Sequence, residues 1–121
     1  MLVSFSIKTR ESQGVAVLEL RGALTLPEDY ACLRAQVKEL LATQKKKILM
    51  DMAKLDVIDS GGLGTLVEAL VSIRKWGGEL KLVHVEEKIK KPFLLTNLAT
   101  FFEMHGSEEE ALASFHARDL F

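Results

Sequence analysis

The sequence predicts an α/β fold, in which strands alternate with amphipathic helices and right-handed crossovers lay the helices against one sheet. Three observations carry this. Two apolar segments split by a glycine-bearing turn open the chain, a compact apolar run begins at Ile48, and apolar stripes at helical spacing flank that run on both sides. Adjacent opening strands pair antiparallel and the later ones parallel, so the sheet is mixed.

Taken in order, Val3, Phe5 and Ile7 alternate with Ser4, Ser6 and Lys8, and "VAVLEL" runs from Val15 to Leu20 after the "ESQG" turn. This is the pattern of a strand pair. "TLPE" then has the form of a capping box, with the Thr25 hydroxyl accepting the Glu28 amide, Glu28 reaching back, and Pro27 tolerated in the first turn. The helix so begun carries Tyr30, Leu33, Val37, Leu40 and Leu41 inward and ends before Lys45, Lys46 and Lys47. "ILMDM" suits a strand buried on both faces, ending at Asp51. Leu63, Leu66, Val67, Leu70 and Ile73 form a second stripe, stopped by Gly77 and Gly78. "ELKLVHV", Glu79 to Val85, is the next strand. Pro92 begins, kinks or splits a helix in "EEKIKKPFLLTNL", and Phe101 and Phe102 lead into a short edge strand. In "SEEEALASF", Ser107 is the expected N-cap, Glu110 its capping-box partner, and three carboxylates complement the helix dipole.

Composition bounds the function. The 121 residues, 48% hydrophobic and 27% charged, suit one domain over residues 1–121. A formal charge of -1, from 16 basic and 17 acidic residues, supplies no field to recruit nucleic acid directly or an anionic membrane. Lys45 to Lys47 reads as a solvated turn. Cys32 stands alone, so no internal disulfide or cysteine zinc site is expected, and its helical setting suggests a buried thiol in a reducing compartment. "MLVSFSIKTR" lacks a basic start followed by a long apolar run, and no segment is long enough for membrane insertion; a cytoplasmic location is expected.

The chemistry concentrates in "LDVIDSGGLGTLVEAL", Leu55 to Leu70. Here Asp59 or Ser60 can cap the following helix, while Gly61 and Gly62 let something approach its amides closely. A capped strand-to-helix turn needs no function of its own. The functional reading rests on exposure: a hydroxyl at a helix amino terminus accepts phosphate without breaking the helix below it, adding roughly -1.5 to -2 of charge beside Asp59.

At these residues the chain resembles the STAS domain family, most of all its single-domain anti-sigma factor antagonists. In that family a buried strand ending in Asp leads to an Asp-Ser-(Ser/Ala)-Gly-Leu-Gly turn and a helix, matched here by Asp51, Asp59, Ser60, Gly62, Leu63 and Gly64. "LELRGALT" resembles the family's second strand with its Gly-x-Leu turn, and "FFEMHGSEEEALASF" its usual ending. The resemblance implies a STAS-like mixed sheet of four or five strands with about four helices packed mainly on one face. It implies a partner switch: an ATP-dependent anti-sigma factor serine kinase phosphorylates Ser60, the unphosphorylated form binds that kinase and frees a sigma factor, and a phosphatase resets the cycle. The partner surface it implies comprises Asp59, Ser60, Gly61, Gly62 and Leu63 with the turn Leu24, Thr25 and Leu26, where exposed Leu63 or Leu26 supplies apolar contact. A homodimer is compatible with it. Two departures stand out. Gly61 replaces the commoner Ser or Ala, and Thr25 stands where many antagonists carry Asp, keeping a capping role but losing a charge that bears on which kinase binds. Stressosome-like scaffolds and accessory subunits of lipid transporters share the family.

No enzyme, cofactor or metal site is expected. "VIDSGG" lacks the first glycine of a G-x-S-x-G elbow, and His84, His105 and His116 show no ligand spacing. "GLGTLV" lacks the third glycine of a dinucleotide fingerprint and does not directly follow the expected strand end at Asp51.

Overall fold

The computed structural model describes residues 3–117. The strand pair is a hairpin of β1 (Ser6–Ser12) and β2 (Val15–Leu24), antiparallel, closed by Gln13 and Gly14 at φ of 53° and 79°. Positive φ at both central residues suits the twist of a two-residue hairpin. β1 starts later than the alternation suggests, because residues 3–5 do a different job. The Val3 carbonyl accepts the Ala23 N–H at 3.1 Å and the backbone passes so close to Gly22 (φ 88°) that a Cβ there would meet the Ser4 oxygen at 2.4 Å. Glycine is therefore required where β2 slips register.

α1 (Pro27–Ala42) begins one residue later than the expected capping box. The N-cap is Leu26, extended at φ -115° and ψ 152°, as the residue before a proline must be. The reaching carboxylate is that of Asp29, which accepts the Leu26 N–H at 2.9 Å and the Thr25 N–H at 3.3 Å. Thr25 and Glu28 thus do not form the box, and Thr25 takes no capping role. Leu33, Val37, Leu40 and Leu41 are buried as the stripe requires, with Tyr30 half-buried, whereas Cys32, one step off the stripe, is exposed and not the buried thiol expected.

β3 (Lys47–Ile58) continues well past Asp51. Its pairing with β4 (Glu79–Val83) ends at Asp51 opposite Val83, but its pairing with β2 continues to Ile58 opposite Leu24. α2 (Ser60–Lys75) follows at once, and Gly77 at φ 79° ends it as expected. β4 stops two residues short of the expected Val85, because His84 turns the chain at φ 58°. Pro92 lies inside α3 (Glu87–Leu95), and β5 (Glu103–His105) and α4 (Glu108–Ala117) complete the described chain. Ser107 caps α4, its hydroxyl accepting the Glu110 N–H at 3.1 Å.

The sheet order is β1-β2-β3-β4-β5, with every pair after the hairpin parallel. Successive right-handed crossovers that all step in one direction place α1, α2 and α3 on the same face. The main core lies there, with Leu18, Leu33, Met50, Leu66 and Phe93 fully buried. The opposite face is covered by α4, whose Ala111, Leu112 and Phe115 pack on Val15, Val17, Leu49 and Val83. This second layer buries Lys81 to 2% exposure, between Glu103 (2.5 Å), Ser114 (2.7 Å) and the Phe115 ring at 4.9 Å.

Candidate functional site

Two turns at the carboxyl ends of β2 and β3 form the site. They are tied by the Asp59 N–H, which donates to the Leu24 carbonyl at 3.4 Å. Asp59 is the N-cap of α2: its carboxylate accepts the Gly62 N–H at 2.8 Å. The same carboxylate receives the Tyr30 hydroxyl from the first turn of α1, 2.7 Å from each oxygen. That bond, helped by desolvation, pushes the Tyr30 phenol up to about 12. The aspartate is thus held from both helices.

Ser60 is the first residue of α2 and exposed. Because the cap belongs to Asp59, the Ser60 hydroxyl has no structural duty among the described residues. The first intrahelical bond is Leu63 N–H to the Asp59 carbonyl at 2.9 Å, so the Ser60 and Gly61 amides precede the helical ladder.

The glycines serve the chain itself. A Cβ on Gly61 would lie 2.4 Å from the Tyr30 hydroxyl oxygen, and one on Gly62 would lie 2.5 Å from the Leu24 carbonyl. The close approach expected at these positions is therefore made by Tyr30 and Leu24. Leu63, expected as an exposed contact, is only 3% exposed, since the inward stripe of α2 begins with it; Leu24 is fully buried. Leu26 is 51% exposed, as expected, and Thr25 is half-buried.

Tyr30 is the residue that sequence reasoning assigned only to the core stripe. Its spacing fits that stripe, and only the tertiary contact reveals the hydroxyl's bond to Asp59. The glycine turn also follows β3 directly, so the expected gap between strand end and glycines does not exist; the third glycine of a dinucleotide fingerprint is still missing, and the faces of Gly61 and Gly62 are already filled. A histidine–carboxylate pair does form, His84 Nδ1 to Asp51 Oδ1 at 3.0 Å, but neither residue bonds Ser60. Among the described residues no helix is long and apolar enough to cross a membrane, and no cluster of three metal-ligating side chains occurs.

The site is thus a buried parallel strand running into an Asp-capped helix, with an exposed serine at its first position. The model of the STAS domain matches residues 6–111, and the chain belongs to that family. The anti-sigma-B factor antagonist of Listeria monocytogenes is 28% identical over 113 residues, 91% of this chain and 95% of the relative. An anti-sigma factor antagonist from Mycobacterium paratuberculosis shares the fold at TM-score 0.80 and 20% identity, over 92% of this chain and 93% of that one. The anti-sigma factor antagonist SpoIIAA in its unphosphorylated form does so at TM-score 0.77 and 19% identity, over 94% and 97% of the two chains, and Bacillus SpoIIAA in its phosphorylated form at 0.69 and 19%, over 93% and 99%. The expected mixed sheet with four helices, three on one face, is the SpoIIAA-like fold.

Proposed function

We propose that this chain is an anti-sigma factor antagonist whose Ser60 is the acceptor of an anti-sigma factor serine kinase, and that the unphosphorylated form alone binds that kinase. The observation that carries the reading is the division of labour at the α2 terminus: Asp59, locked by Tyr30, makes the cap, and Ser60 is left exposed with no structural bond. A hydroxyl so placed can be modified without loss of the fold. Phosphate there meets the Ser60 and Gly61 amides and the positive end of the helix dipole, so the modified form is tolerated.

The partner surface on this reading is Ser60, Gly61 and Asp59 with Thr25 and exposed Leu26, while buried Leu24, Gly62 and Leu63 support it from below. Docking desolvates this patch. A dianion next to Asp59 makes that desolvation costly, so phosphorylation acts on binding through charge. The transfer chemistry belongs to the kinase, which directs the γ-phosphoryl group of ATP onto the Ser60 oxygen, and a phosphatase reverses it. The cycle runs in the cytoplasm.

The test is incubation with ATP and a serine kinase of the anti-sigma type, followed by peptide mapping in a mass spectrometer. A single phosphate on Ser60, absent from Ser60→Ala, supports the reading. Phosphate confined to other residues, or none, removes the switch and favours a constitutive scaffold or transporter accessory subunit.

A further inference from the structure

A cleft of about 480 Å³ opens at the carboxyl ends of β4 and β5, lined by His84, Glu86, Lys90, Met104 and His105 and, from β3, Ala53. No residue of the Asp59–Ser60 turn borders it. The cleft exists because β3 outruns β4: beyond the Asp51–Val83 pair, β3 has only β2 beside it, and the chain leaving β4 bends away at His84.

Three nitrogen-bearing side chains from three segments line it, and the pairing of the nearby acids leaves them available. Asp51 Oδ1 takes His84 Nδ1 at 3.0 Å and the Ala53 N–H at 3.0 Å. Glu103 Oε2 takes His105 Nε2 at 2.6 Å, Lys81 at 2.5 Å and Ser114 at 2.9 Å. Each carboxylate thus orients one ring through one nitrogen, leaving His84 Nε2 and His105 Nδ1 uncommitted to these acids. Lys90, half-buried on α3, pairs with no carboxylate among the described residues. The remaining acid of the cleft, Glu86, is exposed. With both rings protonated, His84 Nε2 and His105 Nδ1 each carry an N–H that no acid here takes, and together with the Lys90 ammonium they gather donors in one concave site, an anion's surroundings.

We propose that this cleft binds a small hydroxyl-bearing phosphate monoester, its phosphoryl oxygens on Lys90, His84 and His105. Sites of roughly 300–1,000 Å³ hold organic ligands, so the volume exceeds the need of a bare ion. Met104 and Val85 offer an apolar wall to the carbon skeleton, and Glu86 accepts from a hydroxyl. The proposal is independent of Ser60.

The test is titration of the whole chain with glycerol phosphate at about pH 6, just below the ordinary histidine value, followed by imidazole NMR signals and calorimetry. Saturable shifts of His84 and His105, with His116 unmoved, are expected. Lys90→Met should weaken affinity at least about tenfold. His84→Asn should do the same while melting like the wild type, since asparagine tolerates the left-handed backbone at that position. Glycerol should not bind. If glycerol phosphate moves neither histidine signal, or if Lys90→Met binds as the wild type does, the proposal is overturned.

Discussion

At residue scale the account turns on which of two adjacent side chains holds the helix. With Asp59 accepting both the Gly62 N–H and the Tyr30 hydroxyl, Asp59→Ala should cost about 1–2 kcal/mol, whereas Ser60→Ala should change stability by less than about 0.5 kcal/mol. Denaturant midpoints of the two variants check this; equal losses would mean the serine shares the cap. Tyr30 gives a second reading of the same bond. It is the single tyrosine of the chain, so the alkaline absorbance titration reports it alone, with a midpoint near 12 against the ordinary 10.0. The neutral phenol is the form the fold favours, so the stability it lends is complete below pH 10.0 and lost as pH rises to about 12. Asp59→Asn should bring the midpoint down toward 10.0. The sequence left Asp59 and Ser60 as equal candidates for the cap, because both residue types cap well and their spacing to Gly62 differs by one. Only the distant Tyr30 separates them.

At the scale of elements, the two glycines of α2 that flank Leu63 make opposite predictions. Nothing lies within 4 Å of a Cβ built on Gly64, so Gly64→Ala should stabilise the helix by about 0.5–1 kcal/mol. The same change at Gly62 drives a Cβ against the Leu24 carbonyl at 2.5 Å and Ile58 at 2.9 Å and should destabilise, despite the same gain in propensity. Thermal melts of the pair decide it. Leu66 and Leu70, 0% and 4% exposed on the inward stripe, should each cost about 2–5 kcal/mol as alanine, and near-native melting of both would put the helix in the wrong rotation. Helical periodicity made these stripes legible. Boundaries were less so: Pro27 moved the start of α1 by forcing Leu26 extended, and β3 ran to Ile58 because β2, not its own apolar pattern, sustains its second half. Leu63 belonged to both a stripe and a presumed contact surface, and packing gave it to the stripe.

At the scale of the molecule, α4 closes the second face of the sheet, and that is why Lys81, which alternation would leave in solvent, is buried. Its partner Glu103 is pushed upward by burial, but hydrogen bonds from Lys81, His105 and Ser114 outweigh this and hold it at about 2 against the ordinary 4.5. The stability it contributes is present above pH 4.5 and lost as pH falls toward 2. The gap in stability between wild type and Glu103→Gln should therefore narrow over that range; a constant gap would show that the cluster does not titrate as described. Arg10 fastens the same helix to the hairpin, bonding Glu19 at 2.7 Å and both oxygens of Glu108. These contacts lie remote from Ser60, and on the proposed reading its hydroxyl can gain charge without loss of the fold. The most direct test of that claim is a calorimetric titration of the anti-sigma type kinase with unphosphorylated and Ser60-phosphorylated protein, each first shown to melt alike. The account predicts at least a tenfold weaker complex for the phosphorylated form, about 1.4 kcal/mol. Equal affinity of the two forms would contradict it.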